Sequence, residues 1–331
     1  MNPPRRFRKG IVLLLIITGF VGLSTSRLHS QTSEGVQVAD SLKLDSLELD
    51  SVISVETAQD SILVEPTSIP VEPRSSKFVP EYQTESFESL PFGVGERLRY
   101  HLDFSFVQAG LSEMAIVDID TSTGRPAFHF RSRARSTRSI DLFFKVRDQV
   151  EAWFDTESLY SHRYERRIHE GGYHSLKYYD YNSETGWVSI SNEHGPKGVT
   201  PFEPFTHNII SALYWVRTQK LEKGVDLHLP LHDLTVQYPL TVKVYGREKI
   251  KVPAGEWMCW KVEPVIESEG LFNMTGSLIV WLTDDELRLP VKMSSSIPVG
   301  SIQGVLVEYR LGKEYEPDKA PDYSHELDWD W

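Results

Sequence analysis

Apolar side chains recur at every second position over long stretches of this sequence, and this period of two restricts the fold more than any other feature. In the clearest stretch, five apolar residues alternate with polar or charged ones: Leu98, Tyr100, Leu102, Phe104 and Phe106. Successive side chains of a β-strand point to opposite faces of its sheet, so the pattern predicts a strand with one buried face.

A second stretch, residues 281–311, predicts three more strands that close the sheet begun by the first. Turn-forming residues at 283–286 and 298–301 separate the apolar runs. In the last of these strands, Val305, Val307 and Tyr309 are expected on one face and Leu306 on the other, because they alternate.

The residues between these stretches predict an antiparallel meander with a single helix. Short apolar runs with polar or glycine punctuation extend from 111 to 191. After Asn208, which can cap a helix, apolar residues recur at roughly 3.6 spacing until Lys223-Gly224. The sequence therefore predicts an all-β fold with one inserted α-helix, in which a curved antiparallel sheet or incomplete β-barrel wraps on the helix.

Charge and composition divide the chain into four predicted units. Residues 1–30 hold five basic and no acidic residues, and a thirteen-residue apolar run follows the first four basic ones. This run is short for a bilayer span, so we expect an export signal or, if it is retained, an inner-membrane anchor. Residues 31–90 predict a disordered acidic linker, 91–312 the β-rich domain, and 313–331 a flexible acidic tail. The expected location is periplasmic or secreted.

The overall charge and the cysteine count exclude several classes of protein. The formal net charge is −12, and removal of residues 1–30 would leave −12 − 5 = −17, which disfavours nonspecific nucleic-acid binding. A single cysteine, Cys259, excludes an internal disulfide framework and a cysteine-built metal site. We expect it to be a small buried thiol.

No motif predicts a catalytic, cofactor-binding or metal-binding site. His169 and His174 are one residue farther apart than the histidines of an HExxH zinc helix, and Gly171-Gly172 would weaken a helix there. The sequence also lacks a nucleophile elbow and a P-loop. The acidic run at 284–286 is expected to form a solvated turn.

Two sets of side chains are candidates for ligand binding. The first is basic, since residues 125–177 hold eleven basic and seven acidic residues; its candidates are Arg131, Arg133 and Arg135 on one strand face and Arg163 and Arg167 on another. Such a patch could bind an anionic lipid headgroup or envelope glycan; alternatively, it is a solvated face that attracts the acidic linker and tail. The second is a set of strand aromatics, including Trp281, that could line the concave side for an apolar or amphipathic ligand or simply fill the core.

Seven short segments between residues 95 and 301 form a recognisable set. They are 95–100, 109–110, 211–217, 252–257, 280–285, 289–291 and 299–301. On these segments the chain resembles the bacterial DUF3108 family, exported proteins of unknown function, over roughly residues 91–312. Where that family often has Asp before the helix, this sequence has Asn208, which can still cap. The resemblance implies an exported β-rich domain and supplies no reaction, ligand or catalytic residue.

Together these features predict a non-catalytic binding or accessory protein of the cell envelope. Its ligand would be apolar, or anionic and amphipathic. The alternative is a structural or assembly protein that reaches another envelope protein through the linker and the tail, which ends in Trp329-Asp330-Trp331. A hydrolase is disfavoured because the sequence shows no nucleophile or metal-binding pattern.

Overall fold

One antiparallel sheet of 14 strands organises the part of the chain that this computed structural model describes, residues 89–233, 236–266, 278–297 and 300–313. The strands are β1 (Arg97–Phe104), β2 (Val107–Asp120), β3 (Ala127–Ser136), β4 (Arg147–Asp155), β5 (Ser161–Glu170), β6 (Tyr173–Asn182), β7 (Trp187–Asn192), β8 (Gly195–Pro201), β9 (Leu227–Asp233), β10 (Val236–Val252), β11 (Gly255–Ile266), β12 (Leu278–Thr283), β13 (Pro290–Ile297) and β14 (Gly300–Arg310). Two helices interrupt them, α1 (Arg138–Asp141) and α2 (Ile209–Thr218). The predicted all-β fold with an inserted amphipathic helix is confirmed; the four-residue α1 was not predicted.

The sheet consists of two meanders, β1–β8 and β9–β14, which join where β1 pairs with β14. The two free edges, β8 and β9, approach each other through side chains. Nε2 of His232 on β9 lies 3.2 Å from Oγ1 of Thr200 on β8, and Nδ1 of His232 lies 3.3 Å from the hydroxyl of Tyr181 on β6. No β-ladder joins β8 to β9 among the described residues, but the sheet is curled so that these two edge strands contact each other, as predicted for an incomplete barrel.

A β-bulge corrects the prediction for the last strand. Val305 lies opposite His101, whereas Tyr309 lies opposite Leu98, so Val305 and Tyr309 are on opposite faces of the sheet. The register shifts between these two pairs, because an extra residue in one strand reverses the alternation beyond it. Leu306, and not its neighbour Val305, is fully buried in the core.

The cap of α2 forms as predicted, but the helix is shorter. The Oδ1 atom of Asn208 accepts hydrogen bonds from the backbone N–H groups of Ile210 and Ser211, at 2.9 and 3.0 Å. The helix ends at Thr218 and does not continue to Lys223-Gly224. Instead, the backbone N–H of Gly224 donates to the carbonyl of Val244 at 2.9 Å, which ties this segment to β10.

The helix fills the inner, concave face of the sheet with aromatic and charged contacts. The ring of Tyr214 lies 4.7 Å from that of Phe92 and 5.3 Å from that of Phe154. Arg217 donates from Nη1 and Nη2 to the two carboxylate oxygens of Glu96, each at 2.7 Å, and both side chains are buried. The helix is therefore held by an ion pair and by aromatic contacts inside the hydrophobic core.

Three predictions about the ends and the cysteine have different outcomes. The export signal, the linker except for its last two residues, and the tail beyond Lys313 lie outside the described residues. Cys259 is fully buried, as expected, and burial raises the pKa of its thiol to about 12. No helix among the described residues has the length and apolar character needed to cross a bilayer.

Candidate functional site

The outer face of β3, β4 and β5 brings the predicted arginines together. All five are on this face: Arg131, Arg133, Arg135, Arg163 and Arg167. Arg133 lies opposite Gln149 of β4, which in turn lies opposite Arg167 of β5. The Nε atom of Arg133 donates to Oε1 of Gln149 at 3.1 Å. The two groups of arginines, predicted on separate strand faces, thus form one continuous surface.

Carboxylates from neighbouring strands are interleaved with these arginines. Asp180 on β6 accepts a hydrogen bond from Nε of Arg163 at 2.6 Å. On β2, the buried Glu113 accepts from Nε of both Arg97 and Arg99, each at 2.6 Å. The middle of the outer face is therefore a ladder of mixed charge, and it is less basic than the sequence count of residues 125–177 predicted.

His129 is held between two carboxylates in this ladder. Its Nε2 lies 2.7 Å from Oε2 of Glu151, and its Nδ1 lies 3.2 Å from Oδ1 of Asp118. Burial alone would lower the pKa of His129, but these hydrogen bonds outweigh it and raise that pKa to about 8. Burial would raise the pKa of Glu151, but His129 and Arg131 lower it to about 2. The imidazolium thus binds β2, β3 and β4 together.

Trp281 does not join the arginines. It lies on β12, five strands from β3 in the sheet, with Lys261 and Lys292 opposite it. The Nζ atom of Lys292 lies 4.9 Å from the centroid of the Trp281 ring, and the indole N–H donates to Glu248. Trp281 is buried and belongs to the hydrophobic core, with charged side chains against its ring. Its role in lining a ligand site stays a prediction.

Three loops meet at one end of the strands, on the rim of the curled sheet, and we call this rim the loop edge. They are the β1–β2 turn (Ser105-Phe106), the β3–β4 loop (137–146) and the β5–β6 turn (Gly171-Gly172). The N–H of Thr137 donates to the carbonyl of Ala109 at 2.9 Å, and the N–H of Gly171 donates to the carbonyl of Lys145 at 2.7 Å. These bonds fix the three loops next to one another.

The loop edge combines exposed apolar side chains with basic ones. Its exposed apolar residues are Phe106, Val107, Leu142, Phe143 and Tyr173. Arg138 and Lys145, both exposed, flank Leu142 and Phe143 in the chain. Slight burial and then the positive charges of His174, Lys145 and Arg147 lower the pKa of His169. The local field at this edge is therefore positive.

The inner face near the loop edge carries a second group of polar side chains, which we call the inner polar cluster. It consists of Ser112, Ser132, Asp148, Arg166 and Glu170, all buried. Burial raises the pKa of Asp148 to about 6. Burial, and then the charge of Asp148, raises that of Glu170 to about 8. Each carboxyl disfavours ionisation of the other, so together they hold one proton near neutral pH.

Sequence reasoning missed the inner polar cluster, although a signal for it exists. On β3, the inner positions read Phe128, Phe130, Ser132 and Ala134, so the buried face changes from aromatic to small and polar along one strand. The inner positions of β4 change in the same direction, from Phe154 to Asp148. A polar residue at a position that the period of two assigns to the core marks such a site.

Among the described residues, the charged groups of the two faces are not arranged as a metal centre. Within the residues that the structure describes, no three or more His, Cys, Asp or Glu side chains are grouped so that they could hold a metal ion. His169 and His174 lie opposite each other across the β5–β6 hairpin, with ring centroids 3.9 Å apart.

The strongly curved antiparallel sheet, which wraps around one helix, defines a β-barrel-like domain. Its sequence matches the family model described as "Protein of unknown function (DUF3108)" over residues 99–307, more than half of the chain. The chain belongs to this family, and the resemblance seen in its sequence motifs is confirmed. No curated protein matches the sequence.

Three solved structures resemble the fold distantly. A β-barrel-like protein of the domain of unknown function DUF1849 from Brucella abortus is 12% identical, with a TM-score of 0.45, and covers 66% of this chain and 98% of its own. A candidate lipoprotein from Parabacteroides distasonis is 11% identical, with a TM-score of 0.30 and coverages of 67% and 99%. A candidate exported protein with a YmcC-like fold from Bacteroides fragilis is 11% identical, with a TM-score of 0.27 and coverages of 68% and 100%. These similarities are too distant to carry function.

Proposed function

We propose that this protein is a non-catalytic accessory protein of the cell envelope that binds the anionic surface of a membrane through its loop edge. The observation that carries the proposal is that exposed apolar side chains and basic side chains meet on this one edge. This combination is what an interfacial membrane-binding surface requires, because apolar groups enter the lipid while cations contact the headgroups.

The apolar side chains of the loop edge stand well clear of the core. Phe106 is fully exposed, Leu142 is 81% exposed and Phe143 is 78% exposed. Exposed apolar side chains that cluster in this way mark interaction surfaces. Burial of one such side chain contributes about 1.5–3 kcal/mol, so two or three of them support weak, reversible binding.

The charge of the loop edge is opposite to that of the whole chain. Residues 133–147 contain five basic residues and one acidic residue, 5 − 1 = +4, whereas the chain carries −12. The acidic residue, Asp141, accepts a hydrogen bond from Nη2 of Arg147 at 2.5 Å. Each basic residue near an anionic leaflet contributes about 1 kcal/mol. An anionic membrane therefore attracts this edge and repels the rest of the molecule, which orients the protein.

The location outside the cytoplasm is part of the same proposal. What supports it is the order of basic and then apolar residues at 1–30, which is typical of an export signal. A protein delivered by this route meets the anionic phospholipids of the envelope.

Vesicle flotation tests the proposal. The purified full-length mature protein is mixed with vesicles of phosphatidylcholine, with and without phosphatidylglycerol. We expect flotation only with the anionic vesicles, and weaker flotation as salt increases. The double variant Leu142→Ser/Phe143→Ser is expected to lose flotation, and Arg138→Ser/Lys145→Ser to weaken it. The matched control is Val199→Ser/Val225→Ser, which alters two valines that are 51% and 50% exposed away from this edge.

Two outcomes would contradict membrane binding. One is equal flotation of the Leu142/Phe143 variant and the valine control. The other combines two results. Analytical ultracentrifugation without lipid shows a wild-type dimer that the Leu142/Phe143 substitutions abolish, and none of the variants changes flotation. The loop edge would then be an interface between two copies of this chain.

A further inference from the structure

The inner polar cluster contains side-chain atoms that are buried without a hydrogen-bond partner among the described residues. They are Oγ of Ser112, Oγ of Ser132, Oδ2 of Asp148 and Oε1 of Glu170. Their residues are 1%, 0%, 3% and 6% exposed, respectively. Buried polar groups in folded proteins nearly always have a partner. Four exceptions on neighbouring strands indicate that a polar partner is missing from one place.

Strand register places these atoms on one surface. Ser112 of β2 lies opposite Ala134 of β3, and Ala134 lies opposite Asp148 of β4. Ser132 is two residues from Ala134 and therefore shares its face. Gln149 of β4 lies opposite Arg167 of β5, so Asp148 lies opposite Ile168 and is a diagonal neighbour of Glu170. Ser132 and Asp148 are diagonal neighbours, which lie about 7–8 Å apart, so one small ligand can reach Ser132 and the two carboxyls together.

A ligand with one positive charge can take the place of the proton that Asp148 and Glu170 hold in the free protein. With Asp148 and Glu170 both ionised, the pair carries −2, and Arg166 contributes +1. Arg166 is the cation that acts on both carboxyls; Lys177, opposite it on β6, acts on neither. A ligand with a single positive charge brings the sum to −2 + 1 + 1 = 0. A divalent metal ion would leave an excess of +1 in a buried place, which is unfavourable.

We propose that the inner polar cluster binds the primary ammonium group of a small organic amine. An ammonium group has three N–H donors and no acceptor. Its donors match Oδ2 of Asp148, Oε1 of Glu170 and one serine Oγ, which are the atoms that lack partners. This site goes beyond membrane binding and does not depend on it, because its side chains are buried on the inner face and differ from the exposed side chains of the loop edge.

Binding moves one proton and makes or breaks no bond to carbon. The amine binds as the ammonium ion, which is its form in solution at pH 7. Its charge stabilises the carboxylate form of Glu170, so the proton that this carboxyl holds in the free protein passes to the buffer. Each amine bound should therefore release up to one proton.

Isothermal titration calorimetry tests the site without lipid, so its result is separate from that of vesicle flotation. Full-length mature protein is titrated at pH 7 with ethanolamine, in phosphate and in HEPES, whose ionisation enthalpies differ. We expect binding whose apparent enthalpy differs between the buffers by the heat of transferring up to one proton. Ethylene glycol, the neutral analogue of the probe, is expected not to bind.

Two substitutions on β5 separate the site from the surrounding sheet. Glu170→Gln is expected to weaken ethanolamine binding at least about tenfold and to abolish proton release. Glu165→Gln is the matched control, because Glu165 lies on the outer face of the same strand, opposite Glu151. Glu165→Gln should leave the affinity for ethanolamine and the proton release unchanged. Circular dichroism verifies that Glu170→Gln is folded. We expect it to fold, because glutamine has nearly the shape of the protonated glutamic acid that it replaces.

Three results would overturn the amine site. They are the absence of binding heat with ethanolamine at saturating millimolar concentrations, equal affinity of the Glu170→Gln variant and the wild type, and binding of calcium that excludes ethanolamine. The last would show that the cluster is a metal site.

Discussion

Replacement of Arg217 by Met should destabilise this protein more than most single substitutions. The guanidinium is 0% exposed and its partner Glu96 is 1% exposed, so neither charge is screened by water. Arg217 also donates to the carbonyls of Pro91 at 3.2 Å and Leu287 at 3.1 Å. Without Arg217, Glu96 retains only the hydroxyl of Tyr214, at 3.0 Å, among its side-chain hydrogen bonds to the described residues.

The cost follows from leaving one buried charge without its partner. Removal of one member of a buried ion pair costs about 3–5 kcal/mol, because the remaining charge keeps its desolvation penalty. In a domain of this size, 1 kcal/mol corresponds to about 2–4 °C in Tm. We therefore expect Arg217→Met to lower the Tm by roughly 6–20 °C. The double variant Glu96→Leu/Arg217→Met should recover most of the loss, because it leaves no buried charge.

Urea unfolding, followed by tryptophan fluorescence and circular dichroism, measures the loss of stability in Arg217→Met and its recovery in the double variant. The control is Lys249→Met, which breaks the pair of Lys249 with Glu256, whose side chains are 68% and 41% exposed. Such an exposed pair is screened by water and contributes little to stability. A loss below about 1 kcal/mol for Arg217→Met, or a double variant less stable than the single one, would refute the reasoning.

Three further predictions concern the helix cap, a close backbone contact and pH. Asn208→Ala should lower the free energy of unfolding by about 1 kcal/mol, measured by urea denaturation. Asn208→Ser should keep the stability of the wild type, because serine also caps helices, and equal losses in the two variants would exclude capping as the cause. Gly110→Ala should cost about 1–3 kcal/mol because its Cβ would lie 2.5 Å from the carbonyl oxygen of Arg135, whereas Gly172→Ala, with no atom within 4 Å, should be tolerated. Folding raises the pKa of His129 from 6.5 to about 8. Protonated His129 therefore stabilises the fold fully below pH 6.5, and this stabilisation is lost as the pH rises through 8. The stability advantage of wild type over His129→Asn, measured at pH 6 and pH 9, should fall by roughly 2 kcal/mol, and a constant difference would contradict the assignment.

The alternation of side chains predicts most of this sheet but not its edge strands. The run from Leu98 to Phe104 forms β1 as expected. β8 escapes notice because its seven residues include two glycines and two prolines, which are tolerated where a strand has no partner on one side. On β9, the alternating Leu227, Leu229 and Leu231 were a usable signal. Pro230 obscured it, and at an edge proline breaks no ladder bond.

The sites depend on register, which one strand's sequence does not contain. Asp148 and Glu170 belong to different strands, and their proximity follows from the pairing of β4 with β5. The same holds for Glu113 and Asp180, which reach arginines on neighbouring strands. The exposure of Leu142 and Phe143 was also not evident, because apolar residues before a predicted strand are usually assigned to the core.

The pairing of β1 with β14 has a consequence for how the chain folds. Within the described residues, every other ladder joins strands that are consecutive in the chain, so each can form as a local hairpin. Phe104 and Ile302, by contrast, meet only after nearly two hundred intervening residues have been brought together, and the entropic cost of that loop closure comes before any gain from the contact. We therefore expect the two meanders to acquire hydrogen-exchange protection early and the β1–β14 ladder to acquire it last, so that the speed of maturation is set by a single docking event.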